Sequence, residues 1–261
     1  MASKIYDAPA KINVFLKVVG RREDGYHLLS SRFVRYDAIV DKLWFEKAGR
    51  AGFEVVGDFD CPQANNTIVR ALSALAKFHP SKKLFNFAAE HKVVVYKQIP
   101  SGAGLGGASS DAAAFLQMIN LEADLRLNLD ELTAVGASVG ADIPFFLSGC
   151  EAANVSGIGE IVETFDEKLP KFEVKTPPIA CETIKVYQTF RHNFSEKMAP
   201  SLNDARGLTE RTSRDILLNG DPLFLNDLLS AALKCYPELL EYMEYGYFFS
   251  GSGSSFFKIT K

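Results

Sequence analysis

Pro100-Ser101-Gly102-Ala103-Gly104-Leu105-Gly106-Gly107-Ala108-Ser109-Ser110-Asp111-Ala112-Ala113 is the stretch around which the chain is organised. Just upstream, within 92–99, Val93-Val94-Val95-Tyr96 is a β-branched and aromatic run that predicts a strand. Downstream, Ala112, Phe115, Leu116 and Ile119 fall at i, i+3, i+4 and i+7, one face of a helix. The order is strand, glycine loop, helix N-terminus. Four glycines let the backbone take conformations closed to other residues and let a ligand approach the main chain. Unpaired N–H groups and the positive end of the helix dipole then make an anion site. Ser109 and Ser110 add hydroxyl donors, so the loop reads as a phosphate cradle.

Three kinds of cradle share these letters. Gly102-x-Gly104-x-x-Gly107 satisfies the dinucleotide fingerprint, and Glu122 or Asp124 lies near the acidic position it requires. Those acids, however, precede 125–132, which reads as a helix, where that fold demands the end of a second strand. The nucleotide P-loop fits up to Gly107, but Ala108 then stands where its lysine must be. The third pattern, Pro-x-Gly-x-Gly-Leu-Gly-x-x-Ser-Ser, belongs to the GHMP kinases and is matched at every position from Pro100 to Ser110. Read alone, a glycine cluster of this size also describes a tight turn without a ligand.

The rest of the chain narrows the class. Its 261 residues suffice for one large or two modest domains, and 47% hydrophobic with 23% charged residues is ordinary globular composition. A net charge of −3 without a basic patch argues against a nucleic-acid partner. No segment reaches the roughly 20 apolar residues of a membrane span, and Lys11 and Lys17 interrupt the apolar start, so no signal peptide is read. Cys61, Cys150, Cys181 and Cys235 are far apart and read as buried free thiols of a reducing cytoplasm. The four histidines are scattered, which argues against a structural metal.

Residues 12–18 predict a strand that puts Lys11 and Asn13 on one side. Taken alone, Lys11 reads as an exposed edge lysine. A polar turn over 21–24 leads through Tyr26 and His27 into strands over 28–36, 38–45 and 52–56. Asn65 or Asn66 caps a helix over 68–78, and Asp130 caps one over 131–139 that Gly140 ends. Pro144 disfavours helix at Ile143, leaving Asp142 on a sharp turn at a helix exit. An acid there is either a turn former or a working carboxylate. Strands are expected over 152–155, 160–164, 173–175 and 183–187, and helices over 221–233 and 238–244. The chain closes with aromatic 247–249, a Gly/Ser loop over 250–255, and a strand or short helix over 256–260.

Pro9-Ala10-Lys11-Ile12-Asn13, Gly20-Arg21-Arg22-x-Asp24-Gly25-Tyr26-His27, the central loop, Gly140-Ala141-Asp142-x-Pro144-Phe145-Phe146 and Ser250-Gly251-Ser252-Gly253 together resemble the GHMP kinase family. Within it, the first cluster is similar to the branch that acts on a cytidyl diphosphate of methylerythritol. The resemblance implies an α+β two-domain fold: a ribosomal-S5-like domain over 1–155 and a ferredoxin-like domain over 156–261, with the active site in the cleft between them. It implies ATP-dependent phosphorylation of a 2-hydroxyl in the non-mevalonate route to isoprenoids, by a cytoplasmic monomer or weak homodimer.

By position it makes Lys11 and Asp142 the catalytic pair. Pro100, Ser101, Gly102, Ala103, Gly104, Leu105, Gly106, Gly107, Ala108, Ser109 and Ser110 become the ATP phosphate loop, with Ser110 a contact for Mg²⁺. Asn13, Tyr26, His27 and Tyr187 become the residues that receive the cytidyl substrate. Asn226-Asp227-Leu228 also resembles a family motif and is assigned to packing. A homoserine or mevalonate type of GHMP kinase is the alternative, and Lys11 with Gly25-Tyr26-His27 counts against it.

Overall fold

The computed structural model describes residues 4–49 and 52–260. They form two compact units: the described parts of Met1–Ala10, Asp37–Ile99 and Gly107–Gly149, and then Lys11–Tyr36, Pro100–Gly106 and the described part of Cys150–Lys261. Both units are discontinuous in sequence, and the first 155 residues contribute to each.

Strand β1 (Tyr6–Arg21) and strand β2 (His27–Lys47) are paired and run through both units. The strands expected over 28–36 and 38–45 are thus one, because no glycine or proline interrupts Tyr36-Asp37-Ala38. In the first unit follow β3 (Val55–Val56), α1 (Thr67–Phe78), α2 (Lys82–Glu90) and β4 (His91–Tyr96). Then come α3 (Gly107–Glu122), α4 (Leu129–Val139) and α5 (Ile143–Ser148). β4 pairs antiparallel with the second half of β2, Lys42 opposite Tyr96 and Lys47 opposite His91, and parallel with β3. Ile68 and Leu75 of α1 join Phe115, Leu116 and Ile119 of α3 and Val135 of α4 in one core with Leu43 and Val93 of the strands. The face predicted for α3 is buried, and Ala113, Ala114 and Met118 around it are buried as well.

Helix starts follow capping chemistry. Asn66 caps α1 by accepting from the Ile68 N–H at 2.9 Å. α4 begins earlier than expected, and Asn128 caps it in place of Asp130. The Asn128 side chain accepts from Glu131 N–H at 3.0 Å while Glu131 accepts from Asn128 N–H at 2.8 Å. Residues 125–128 are not helical, and Asp124 (φ 49°) and Arg126 (φ 64°) take left-handed backbone. α2 escaped the sequence because its buried residues are only Leu84 and Ala88, too few to register as a stripe.

The second unit adds β5 (Ala152–Ser156), β6 (Ile161–Thr164) and β7 (Phe172–Lys175). Helices α6 (Thr183–Asn193), α7 (Met198–Thr209), α8 (Ser213–Leu218), α9 (Pro222–Leu225) and α10 (Leu229–Cys235) follow. Strands β8 (Phe248–Phe249) and β9 (Phe256–Ile259) close the chain. The first half of β2 pairs antiparallel with β5, Ser31 opposite Val155, and β5 with β6. A separate antiparallel sheet has the order β7-β9-β8.

Three expectations are corrected here. Residues 183–187 start a helix and not a strand: β-branched Thr183, Ile184 and Val186 favour strand locally, but Val186 and Phe190 are buried while Gln188, which a strand would put on the same face, is exposed. The helix over 221–233 is broken at Asn226-Asp227, whose side chains are engaged elsewhere, and 238–244 is a 3-10 turn over Pro237–Tyr242. All four cysteines are free, but only Cys181 is buried; Cys61 is exposed and Cys150 and Cys235 partly so.

Buried charge is paired. Arg32, with its side chain fully enclosed, donates to Glu167 at 2.9 Å and Asn154 at 2.7 Å, while Ser213 donates to Glu167 from its amide and its hydroxyl. Losing one partner of such a pair strands the other charge and costs about 3–5 kcal/mol. Among the described residues no helix is long and apolar enough to cross a membrane.

Candidate active site

Lys11 is 4% exposed and is not an edge lysine. Its Nζ donates to Asn13 Oδ1 at 2.6 Å and to the Gly104 carbonyl at 3.0 Å, and it lies 4.7 Å from the Phe33 ring centroid. The strand period that puts residues 11 and 13 on one side accounts for the first bond. Asn13 in turn uses Nδ2 to reach Ser31 Oγ at 3.0 Å, so both ends of its buried carboxamide are engaged within the protein.

The second glycine-rich loop packs against the first. Ser250 Oγ accepts from Asn13 N–H at 3.2 Å and donates to the Gly104 carbonyl at 3.1 Å, while Ser255 N–H donates to Ala103 at 3.0 Å. A side chain on Gly104 would meet Ser250 O at 2.2 Å and Gly253 O at 3.0 Å, and its φ is +72°. Glycine is required there by close backbone approach as well as by conformation. Cys181 N–H donates to Gly102 O at 2.9 Å, and burial pushes the Cys181 thiol up to about 12, which leaves it unreactive at neutral pH.

The loop runs on into α3, whose first turn holds Gly107, Ala108, Ser109 and Ser110. The Ser110 hydroxyl is buried and has no hydrogen-bond partner among the described residues. Beside it, Asp111 accepts from Lys97 Nζ at 2.7 Å, and Lys97 also pairs with Asp41, whose other oxygen accepts from the Ile99 N–H at 2.8 Å. This trio ties the end of β4 to the start of α3 and so braces the helix that follows the glycine loop. Nothing in the sequence pattern singled it out, because its members lie 14 and 56 residues apart.

Burial pushes the Asp111 carboxyl up to about 7; Lys97 opposes the rise and Asp41 adds to it. Such a carboxyl holds a proton in the fold that the unfolded chain releases between about pH 4 and 7. Its contribution therefore favours the fold at low pH and is lost as pH rises through 7. Asp111→Asn is expected to flatten the dependence of stability on pH between 5 and 8 by about 1–3 kcal/mol. Thermal melts of both proteins across that range check this, and parallel curves would refute it.

Asp142 is half-buried and immediately precedes α5, with Pro144 in its first turn. Proline is accepted at the second helical position because the N–H it lacks has no intrahelical partner there. Ile143 is thus helical, contrary to expectation, and Asp142 faces the favourable end of a short helix dipole.

His27 stacks on Tyr187 of α6, with centroids 5.3 Å apart and planes at 27°, and meets the edge of Phe190 at 5.9 Å. Its Nε2 is buried without a partner among the described residues. Burial, then Arg21 and Arg191, hold the imidazole below its ordinary pKa, so it is neutral at pH 7. Tyr26 is 60% exposed; its N–H donates to Asp24 and its carbonyl accepts from the Arg22 N–H at 2.8 Å. Tyr187 therefore covers His27 in this structure.

Residues 66–150 match the family described as GHMP kinases N terminal domain. Over 265 residues the chain is 43% identical to the 4-diphosphocytidyl-2-C-methyl-D-erythritol kinase of Sulfurimonas denitrificans, covering 100% of this chain and 98% of that one. The enzyme of the same name from Sulfurovum sp. is 45% identical over 254 residues, covering 97% and 98%. The chain belongs to the 4-diphosphocytidyl-2-C-methyl-D-erythritol kinase family. A crystal structure of 4-(cytidine 5'-diphospho)-2C-methyl-D-erythritol kinase superposes with a TM-score of 0.75 at 31% identity, over 99% of this chain and 90% of that one. The Methanococcus jannaschii mevalonate kinase, at 12% identity and a TM-score of 0.66 over 100% and 91%, shares the fold alone. The expected α+β GHMP kinase fold is thus the fold of this chain.

Proposed function

We propose that the chain transfers the γ-phosphoryl group of ATP to the 2-hydroxyl of 4-diphosphocytidyl-2-C-methyl-D-erythritol. The observation that carries this reading is 43–45% identity, over nearly the whole length, to kinases of that name. In this reading 1–155 is the N-terminal kinase domain, with Pro100–Ser110 as its ATP phosphate loop, and 156–261 is the C-terminal one. A net charge of −3 suits a cytoplasmic small-molecule enzyme without a nucleic-acid partner, working as a monomer or weak homodimer.

Phosphoryl transfer asks the protein for positioning and charge compensation. Backbone N–H groups of the loop and of the α3 N-terminus bind the phosphates. Mg²⁺, when bound, neutralises phosphate charge, and the partnerless buried hydroxyl of Ser110 fits it as a protein contact. Asp142 orients the acceptor hydroxyl and takes its proton late, since a carboxylate is too weak a base to ionise an alcohol beforehand. Lys11 steadies the charge that develops on that oxygen. The direct test is ADP release from ATP with and without the cytidyl substrate; release that ignores this substrate would sink the reading.

Substrate recognition gives a second expected result. The neutral His27, with its unpartnered Nε2, suits the polar edge of a base, and Tyr26 and Tyr187 supply ring faces beside it. Tyr26→Ala and Tyr187→Ala are each expected to weaken the cytidyl substrate about ten- to a hundredfold with ATP affinity unchanged. CDP should bind better than UDP in calorimetry, because the two bases present reversed donors and acceptors. Equal binding of the two would place the cytidine elsewhere.

A further inference from the structure

Asn226 is 2% exposed, and every polar atom of its carboxamide is used. Nδ2 donates to the carbonyls of Phe249 at 3.0 Å and Gly251 at 2.9 Å, the two neighbours of Ser250, and Oδ1 accepts from Leu228 N–H at 2.9 Å. Its own backbone bridges Leu16 of β1, and Asp227 N–H donates to Leu16 O at 3.0 Å. Asp227 holds that strand too: it pairs with buried Lys17 at 2.8 Å and accepts from Val18 N–H at 2.8 Å and from Ser201 at 2.6 Å. The break between α9 and α10 therefore fastens β1 and the terminal loop to one point. Lys11 and Asn13 lie on the same strand as Leu16, and the Asn13 N–H donates to Ser250 Oγ.

We infer that Asn226 is a positioning residue for phosphoryl transfer, acting through Ser250 and Gly104 on the Lys11 ammonium. The inference rests on the function proposed above, in which Lys11 is catalytic. The path is short. Asn226 fixes the carbonyls of the residues on either side of Ser250; the Ser250 hydroxyl then donates to Gly104 O, the same carbonyl that receives Lys11 Nζ. Gly104 O and Asn13 Oδ1 both accept from the Lys11 ammonium, and the Asn13 N–H is itself held by Ser250 Oγ. Releasing Ser250 loosens both. Small misplacements of a catalytic group cost rate while leaving the binding of distant substrate parts unchanged.

The experiment compares Asn226→Ala, Ser250→Ala and their double variant with the wild type, each alone and on a Lys11→Ala background. Expected for each single variant is a kcat about 10- to 100-fold lower, with both KM values within about threefold. The double variant should match the worse single one, and neither change should lower kcat further once Lys11 is gone. A readout independent of turnover is acetylation of Lys11, followed by mass spectrometry. Its rate should rise at least about fivefold in Asn226→Ala, relative to Lys97 in the same protein.

Unchanged kcat in folded variants, multiplicative losses, further loss without Lys11, or unchanged Lys11 labelling would each overturn the inference. If Asn226→Ala does not fold, Ser250→Ala carries the same expectations, since it removes one hydroxyl and leaves the clamp intact. Wild-type protein without substrate-dependent turnover would refute the proposed function instead, and the labelling result still decides whether Asn226 orders Lys11.

Discussion

Asp142→Asn is expected to lower kcat by about 10²–10⁴ with both substrates still bound near normally, the scale of a positioned base. The substitution keeps shape and changes charge and proton affinity alone. The Asp142 side chain makes no capping bond to α5, so that helix loses no cap, and a melting temperature measured beside the rate separates folding from catalysis. Lys11→Ala should do comparable damage to turnover. It also removes a cation from Asn13 Oδ1 and Gly104 O, so its melting temperature must be measured beside its rate. In the double variant the losses should fall far short of the product, because in the proposed mechanism the two groups serve one transition state. Turnover of Asp142→Asn within about threefold of wild type would remove Asp142 from the mechanism.

Gly104→Ala is expected to cost about 3–5 kcal/mol of stability, or roughly 8–15 °C in melting temperature for a chain of this size. The new Cβ would stand 2.2 Å from Ser250 O and 3.0 Å from Gly253 O, both backbone atoms of a loop that is fastened at each end, and the residue's φ of +72° adds strain. Gly107→Ala is the control. Its backbone lies outside the left-handed region, and its Cβ meets Ile99 Cγ2 at 2.8 Å, a side chain that can turn, with Lys97 Nζ at 3.5 Å. The drop for Gly107→Ala should be the smaller by several degrees, and its effect should fall on the KM for ATP. From the sequence, both glycines appeared equivalent, with backbone approach of phosphate as the reason for each. The structure separates them, since at Gly104 the neighbour is the protein's own second loop. A melting temperature of Gly104→Ala within 2 °C of wild type, by this scale, would refute the argument.

What the sequence determined by itself is the strand, glycine loop and helix from His91 to Glu122. There the signals are contiguous: β-branched residues, then glycines, then an apolar face at helical spacing. The motif order from Lys11 to Ser250 was enough to identify the GHMP kinase family and its fold class. Elements whose local preference agreed with their packing, such as α1 behind Asn66, were read nearly to the residue. Tertiary structure decided the rest. Thr183–Asn193 is helical because the second core takes Val186 and Phe190 and leaves Gln188 between them exposed, a helical spacing that outweighs a local preference for strand. Lys11 is buried, and not an edge lysine, where a carbonyl 93 residues away and a ring 22 residues away lie against its ammonium. The roles of Ser250 and Asn226 depend on partners far off in the chain, 237 residues in the case of Ser250 and Asn13. No local pattern encodes such a pairing. It exists only once the fold has closed, when each buried donor must find an acceptor or lose the free energy of leaving water.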